Sequence, residues 1–318
     1  LGFQWYASSN FLTSIKISIF DRLCETFVFF VVKPNSTNMS ETIYLNGSLI
    51  DKNEASISPE DRGFNFADGI YEVIKFYGGK PFRYADHMER LRRSLREIRI
   101  DFDGLDKLEA VFQSLLEQNG LANQEAGIYL QITRGSHTRI HRFPEDIKPT
   151  VYATAFPFAS KQDQLENGVK VITAEDIRWL RCDIKSISLL PNVLYAQKAD
   201  EHDAAEAIFI RNGIVTEGTH SSFMAVKSGV VYTHPDSNLI LPSITKKVIL
   251  EICRENNIAV VEEGIPASEL ASMDEMMIVG TGSEVTPVVQ IDEKSVGNGR
   301  PGPVTRFIQD KFFEQTQP

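Results

Sequence analysis

Asp176-Ile-Arg-Trp-Leu-Arg-Cys-Asp-Ile-Lys185-Ser186, followed by Val215-Thr-Glu217-Gly218-Thr219-His-Ser221-Ser222-Phe223, is the stretch on which the reading of this chain turns. Lys185 ends an alternating run that reads as a strand. Glu217 closes the strand-turn-strand pattern Ala207-Ile-Phe-Ile-Arg-Asn212-Gly213-Ile-Val. A lysine attacks aldehydes only when its amine is partly unprotonated, or is already consumed as a Schiff base, and both occur in desolvated pockets. An electron-sink cofactor such as pyridoxal phosphate works best with its pyridine nitrogen protonated, which an Asp or Glu partner enforces. Lys185 and Glu217 are therefore read as two ends of one cofactor site. A surface lysine after an Asp-Ile strand is the commoner case, so the pair draws its weight from what surrounds it.

Outward from that stretch, short strands alternate with tight turns and helices. Residues 43–50 form a hairpin around Asn46-Gly47, and residues 71–82 a second around Gly78-Gly79. Met88, Leu91, Leu95 and Ile98 predict a helix over 87–98; Leu108, Val111, Phe112 and Leu115 predict another over 105–119. Strands follow at 127–133 and 150–156, a polar connection at 156–168, and a strand at 169–173. Helices are predicted at 192–201, at 245–256 behind a small polar cap, and at 304–315. The class is mixed α and β. Residues 39–156 are expected to form a small N-terminal α/β domain, 157–168 the connection, and 169–318 a larger C-terminal domain carrying Lys185, with the pocket between the two. Gly297-Asn-Gly299-Arg-Pro-Gly302 matches a dinucleotide fingerprint literally, but the stretch beyond Gly302 is too short for a strand-helix-strand unit, so it reads as a hairpin turn before the last helix.

The 318 residues, 42% hydrophobic and 24% charged, suffice for one large core or two moderate ones. A net charge of −10 argues against nucleic acid as partner. Cys24, Cys182 and Cys253 show no metal spacing and cannot all pair, which suits a reducing cytoplasm, and no metal is expected. The first 38 residues are expected to be a non-native or disordered extension, with Met39 the natural start. Their apolar run 27–32 is too short to span a bilayer and lacks a signal-peptide layout. Asn35, Asn38 and Asn46 match glycosylation sequons by chance.

Several motifs fall in order along the chain: Asp61-Arg-Gly63-Phe-Asn-Phe66-Ala-Asp68-Gly69-Ile-Tyr71-Glu72-Val73, His87-Met-Glu-Arg90-Leu91, Arg139-Ile-His141, Lys185, Glu217 and Ser243-Ile244-Thr245. From residue 42 to about 315 the chain resembles the fold-type IV pyridoxal-phosphate enzymes, most closely the D-amino acid aminotransferases. The resemblance implies that Lys185 carries the cofactor and acts in catalysis, and that Glu217 faces its ring nitrogen. Arg90, Ile244, Thr245 and Thr281 would bind its phosphate. By charge alone, Arg90 with Arg92, Arg93, Arg96 and Arg99 would be a solvated basic face, and Ser243 or Thr245 an ordinary helix cap. A guanidinium fork and a helix N-terminus nevertheless both suit phosphate. Tyr71, Arg139 and His141 would bind substrate, the last two on a loop shared across a homodimer. Four positions depart from the family pattern: Ser243 replaces a glycine, Lys246 an arginine, Gly280 a serine, and Ser222 an asparagine.

The implied activity is transfer of an amino group between D-amino acids, of the D-alanine or D-glutamate type, and 2-oxo acids. Rivals of the same fold are an L-branched-chain aminotransferase and an aminodeoxychorismate lyase. A non-catalytic cofactor-binding protein is the alternative of a different class.

Overall fold

The structure, a computed structural model, describes residues 41–159 and 161–317. The expected N-terminal extension, Cys24 and the sequons at Asn35 and Asn38 lie outside the described residues. The described residues all belong to one compact unit.

Its first part is built on hairpins. β1 (Thr42–Leu45) and β2 (Ser48–Asp51) turn at Asn46 and Gly47, whose φ values of 49° and 100° both lie in the left-handed region that Asn and Gly tolerate. After a short α1 (Arg62–Phe66), β3 (Gly69–Tyr77) returns as β4 (Lys80–Pro81) through Gly78 and Gly79, also left-handed. α2 (Tyr84–Glu97), α3 (Leu108–Gln118), β5 (Ala126–Thr133) and β6 (Thr150–Pro157) complete this part. The sheet order is β2-β1-β6-β5-β3-β4, with every neighbouring pair antiparallel. Met88, Leu91 and Leu95 of α2 and Leu108, Phe112 and Leu115 of α3 pack on Ile70, Ile74, Ile128 and Leu130 of the sheet. Each such side chain fully buried favours the fold by about 1.5–3 kcal/mol. α2 opens before His87 because its N-cap is Arg83, in a left-handed conformation and without a side-chain cap, so no capping residue marks the start.

The connection that follows holds a short helix, α4 (Gln162–Asn167). Then come β7 (Val169–Glu175), α5 (Leu190–Asp200), β8 (Glu206–Arg211), β9 (Ile214–Gly218), β10 (Ser222–Lys227), β11 (Val230–Thr233), α6 (Ile244–Glu255), β12 (Val260–Glu262), β13 (Glu275–Gly280), β14 (Glu284–Ile291), β15 (Lys294–Ser295) and α7 (Pro303–Thr316). The sheet runs β12-β11-β10-β13-β14-β7-β8-β9, with β15 beside β14. β7–β8 and β11–β12 pair in parallel, so each needs a crossover, supplied by α5 and α6. α6 and α7 cover one face, setting Val248, Ile249, Ile308 and Phe312 against Met224, Val226, Met277 and Val279.

Two local expectations are corrected. Residues 176–185 form no strand: the alternation is inverted, with Asp176 and Arg178 buried while Ile177, Trp179 and Leu180 are exposed. Asp176 accepts from the backbone and guanidinium of Arg178, and these bonds coil the segment instead of leaving its backbone to a neighbouring strand. Gly297 to Gly302 is no hairpin turn, because β14 and β15 already turn at residues 292–293; it links β15 to α7.

The two sheets are tied through buried charge. Glu284, at the start of β14, accepts from Lys75 Nζ at 2.8 Å and from Tyr77 Oη at 2.6 Å, both on β3. Among the described residues no helix is long and apolar enough to cross a membrane.

Candidate active site

Lys185 is held by its backbone. Its N–H donates to Ser94 Oγ of α2 at 3.3 Å, and its carbonyl accepts from Tyr71 N of β3 at 3.0 Å. Ile187 N bonds Gly69 O at 3.1 Å. This close approach explains Gly69: a Cβ there would meet Ile132 O at 2.8 Å and Ile187 Cδ1 at 3.0 Å. The Lys185 ammonium lies 4.3 Å from the Tyr71 ring centroid, a cation–π contact, and forms no ion pair among the described residues. Both line a cavity of about 380 Å³, together with Arg90, Glu217, Ile244 and Thr281.

Glu217, at the end of β9, is buried and accepts from Arg178 Nη1 at 2.5 Å and from Leu241 N at 3.1 Å. Burial pushes its carboxyl up to about 7, against the downward pull of Arg178. Arg178 is itself shared with Asp176, so Glu217 is only partly neutralised. Cys182 also lines the cavity, but burial pushes its thiol up to about 11 and its Sγ donates to Trp179 O, so it is a packed neutral group rather than a nucleophile.

Arg90 is no part of a solvated basic face. It is buried, with Nε and Nη2 each 2.8 Å from the two oxygens of Glu72 and Nη1 2.9 Å from Pro242 O. His87 Nδ1 lies 2.9 Å from the same carboxylate. Burial alone would raise the Glu72 carboxyl, but Arg90 and His87 outweigh it and hold it well below the usual range. Pro242 leads into α6, where Ser243 Oγ caps Lys246 N at 3.2 Å. The N–H groups of Ile244 and Thr245 stand in the first turn, which has no intrahelical acceptors. Ser243 and Ile244 line the cavity, whereas Thr245 is buried without lining it. Thr281 and Gly282, in the turn between β13 and β14, line the same cavity.

Arg139 and His141 are not brought into this cavity. Both are exposed on the loop between β5 and β6, packed around Phe66: the Arg139 guanidinium is 4.8 Å from its ring centroid and the His141 ring 5.4 Å. The sequence reading missed Arg178, Glu72 and Glu206. Glu72 could have been found, since it falls on the core face of β3 between Ile70 and Ile74, where a charge needs a partner. Glu206, fully buried, accepts from His220 N, Ser221 N and Ser221 Oγ and so shapes the loop after Glu217; nothing in its local sequence announces this.

A cavity of this size carries a lysine free of carboxylates, a half-neutralised buried carboxylate, a buried guanidinium and a helix N-terminus, the donor set for an aldehyde cofactor bearing a phosphate. Two more features fit: Ser222 lines the cavity and its Oγ is buried without a partner, and a Cβ on Gly280 would meet nothing nearer than 3.7 Å. The model of the class IV amino-transferase family matches residues 69–291. The chain belongs to that family and is an aminotransferase. It is 47% identical over 272 residues to the D-alanine aminotransferase of Staphylococcus haemolyticus, spanning 85% of this chain and 96% of that protein. It is 44% identical over 269 residues to that of Bacillus licheniformis, spanning 84% and 94%. Among solved structures, the branched-chain amino acid aminotransferase of Escherichia coli superposes with a TM-score of 0.78 at 28% identity, covering 86% of this chain and 93% of that one. The fold is that of the fold-type IV enzymes.

Proposed function

We propose that the chain is a pyridoxal-phosphate transaminase moving amino groups between D-amino acids and 2-oxo acids, as a homodimer in the cytoplasm. The observation that carries it is Lys185 and Glu217 in one cavity, the first without a carboxylate partner and the second buried. Lys185 would carry the cofactor, Glu217 would serve its ring nitrogen, and Arg90, the N–H groups of Ile244 and Thr245, and Thr281 would hold its phosphate. When bound, that group supplies an electron sink for negative charge developing at the substrate Cα.

The protein residues do the rest. Lys185 Nζ, the one amine lining the cavity among the described residues, takes the Cα proton and gives it back, a role that needs its neutral form. Tyr71, against that amine, fixes where it can reach. Arg178 and Leu241 N favour the charged form of Glu217 against its burial, so the carboxyl exchanges a proton near neutrality. Arg90 meets an anion already oriented by Glu72, so little order is lost on binding. D-substrates are favoured by the names of the relatives above 40% identity, and by Arg139 and His141, which we assign to the substrate carboxylate of the other subunit's cavity. Cys182 and Cys253, the free cysteines among the described residues, are buried and suit a reducing compartment.

The test follows the visible absorbance of the protein loaded with pyridoxal phosphate on adding D-alanine, then separately L-leucine, without acceptor. Bleaching by D-alanine, abolished in Lys185→Ala, is expected. Bleaching by L-leucine alone would move the chain to the branched-chain specificity, and no response to either would refute transamination.

A further inference from the structure

Adjacent serines on β10 and the loop before it have opposite fates. Ser221 Oγ is bonded to Glu206 at 2.6 Å. Ser222, the next residue, has the opposite orientation expected from strand alternation, is 4% exposed, and its Oγ has no hydrogen-bond partner. Among the described residues the other buried, unpaired side-chain polar atom is Thr305 Oγ1, which does not line the cavity of Lys185 and Glu217, whereas Ser222 does. Opposite Ser222 in the register stands Val279, and Gly280 beside it leaves the wall open, with no atom nearer than 3.7 Å to an added Cβ. A buried hydroxyl left unpaired is a cost to the fold that a ligand can remove.

We infer that Ser222 is a contact residue for the cofactor, its hydroxyl completed by a polar atom of that group. This rests on the reading that the cavity takes pyridoxal phosphate. The contact separates binding from stability: the hydroxyl is unfavourable in the cofactor-free fold and favourable in the loaded one. A residue with a purely structural role would show the same sign in both states.

The experiment compares full-length wild type and Ser222→Ala, each freed of cofactor by dialysis. One arm titrates pyridoxal phosphate by absorbance; the other records the melting temperature of the cofactor-free protein. The expected result is affinity weakened roughly 3- to 10-fold in Ser222→Ala, the loss of one hydrogen bond, with a melting temperature equal to or above that of wild type. Equal affinities with an intact wild-type titration would overturn the Ser222 contact alone, as would a fall in melting temperature that matches the affinity loss. Failure of wild type itself to bind would instead overturn the cofactor reading beneath it.

Discussion

Replacing Glu72 by Gln removes the negative end of a fully buried ion pair while keeping the side chain's shape. In the structure Glu72 has no exposure, Arg90 is 8% exposed, and three hydrogen bonds of 2.8–2.9 Å converge on the carboxylate. A carboxylate only accepts, so His87, kept neutral by burial, donates through Nδ1. The amide can accept with one atom, but its NH₂ would face donors, and the Arg90 guanidinium would be left as a buried charge without its counter-ion. Breaking such a pair from one side costs about 3–5 kcal/mol, a large share of the 5–15 kcal/mol typical of a folded domain. Urea denaturation at neutral pH and fixed protein concentration should show that loss as a lower midpoint with unchanged slope. The pH dependence is signed. Glu72 titrates lower in the fold than its ordinary 4.5, so its contribution is complete above about pH 4.5 and disappears as pH falls toward the folded value. The gap between wild type and variant should therefore close on acidification. A loss under about 1 kcal/mol, or a gap that widens in acid, would refute the assignment of Arg90's orientation to Glu72.

Three further outcomes are expected. Glu217 is shifted the other way, up to about 7 from 4.5, so the cofactor-free protein should lose stability as pH rises through that window; Glu217→Gln should flatten this slope, and parallel midpoint-versus-pH curves would contradict it. Gly69→Ala should cost about 1–3 kcal/mol by forcing β3 away from the Lys185 segment, whereas Gly280→Ser should change stability by less than about 0.5 kcal/mol, and thermal melts of the pair would expose a reversed order. Arg139→Ala should raise KM for D-alanine while leaving pyridoxal-phosphate affinity unchanged; a weakened cofactor titration would remove the residue from its proposed place.

Three hairpins and the helix behind Ser243 could be read before the structure because their signals are local: Asn46-Gly47, Gly78-Gly79 and Asn212-Gly213 all adopt the left-handed backbone that such turns need. The joining of Tyr71, Arg90, Lys185, Glu217, Ile244 and Thr281 into one cavity was implied by resemblance to a family, since no spacing along the chain dictates it. What stayed hidden was partnership across the fold. Arg178 reads as one charge among several in the Lys185 stretch, and only the approach of β9 gives it Glu217. The bonds from Arg178 to Asp176 defeated the strand prediction at 176–185, and period-two alternation does not say which set faces inward. Arg139 and His141, exposed beside Phe66, show the converse limit: a motif can be plain in the sequence while one chain leaves it apart from the cavity.

The inverted loop also equips the protein with an optical reporter. Of two tryptophans in the sequence, Trp5 and Trp179, the second lines the cavity while remaining 46% exposed. Its indole therefore stands within range of any chromophore bound there, and energy passed to that chromophore would dim its emission. Occupancy of the cavity can thus be followed from the protein's own light, without label or substrate, and a Trp5→Phe background isolates the signal.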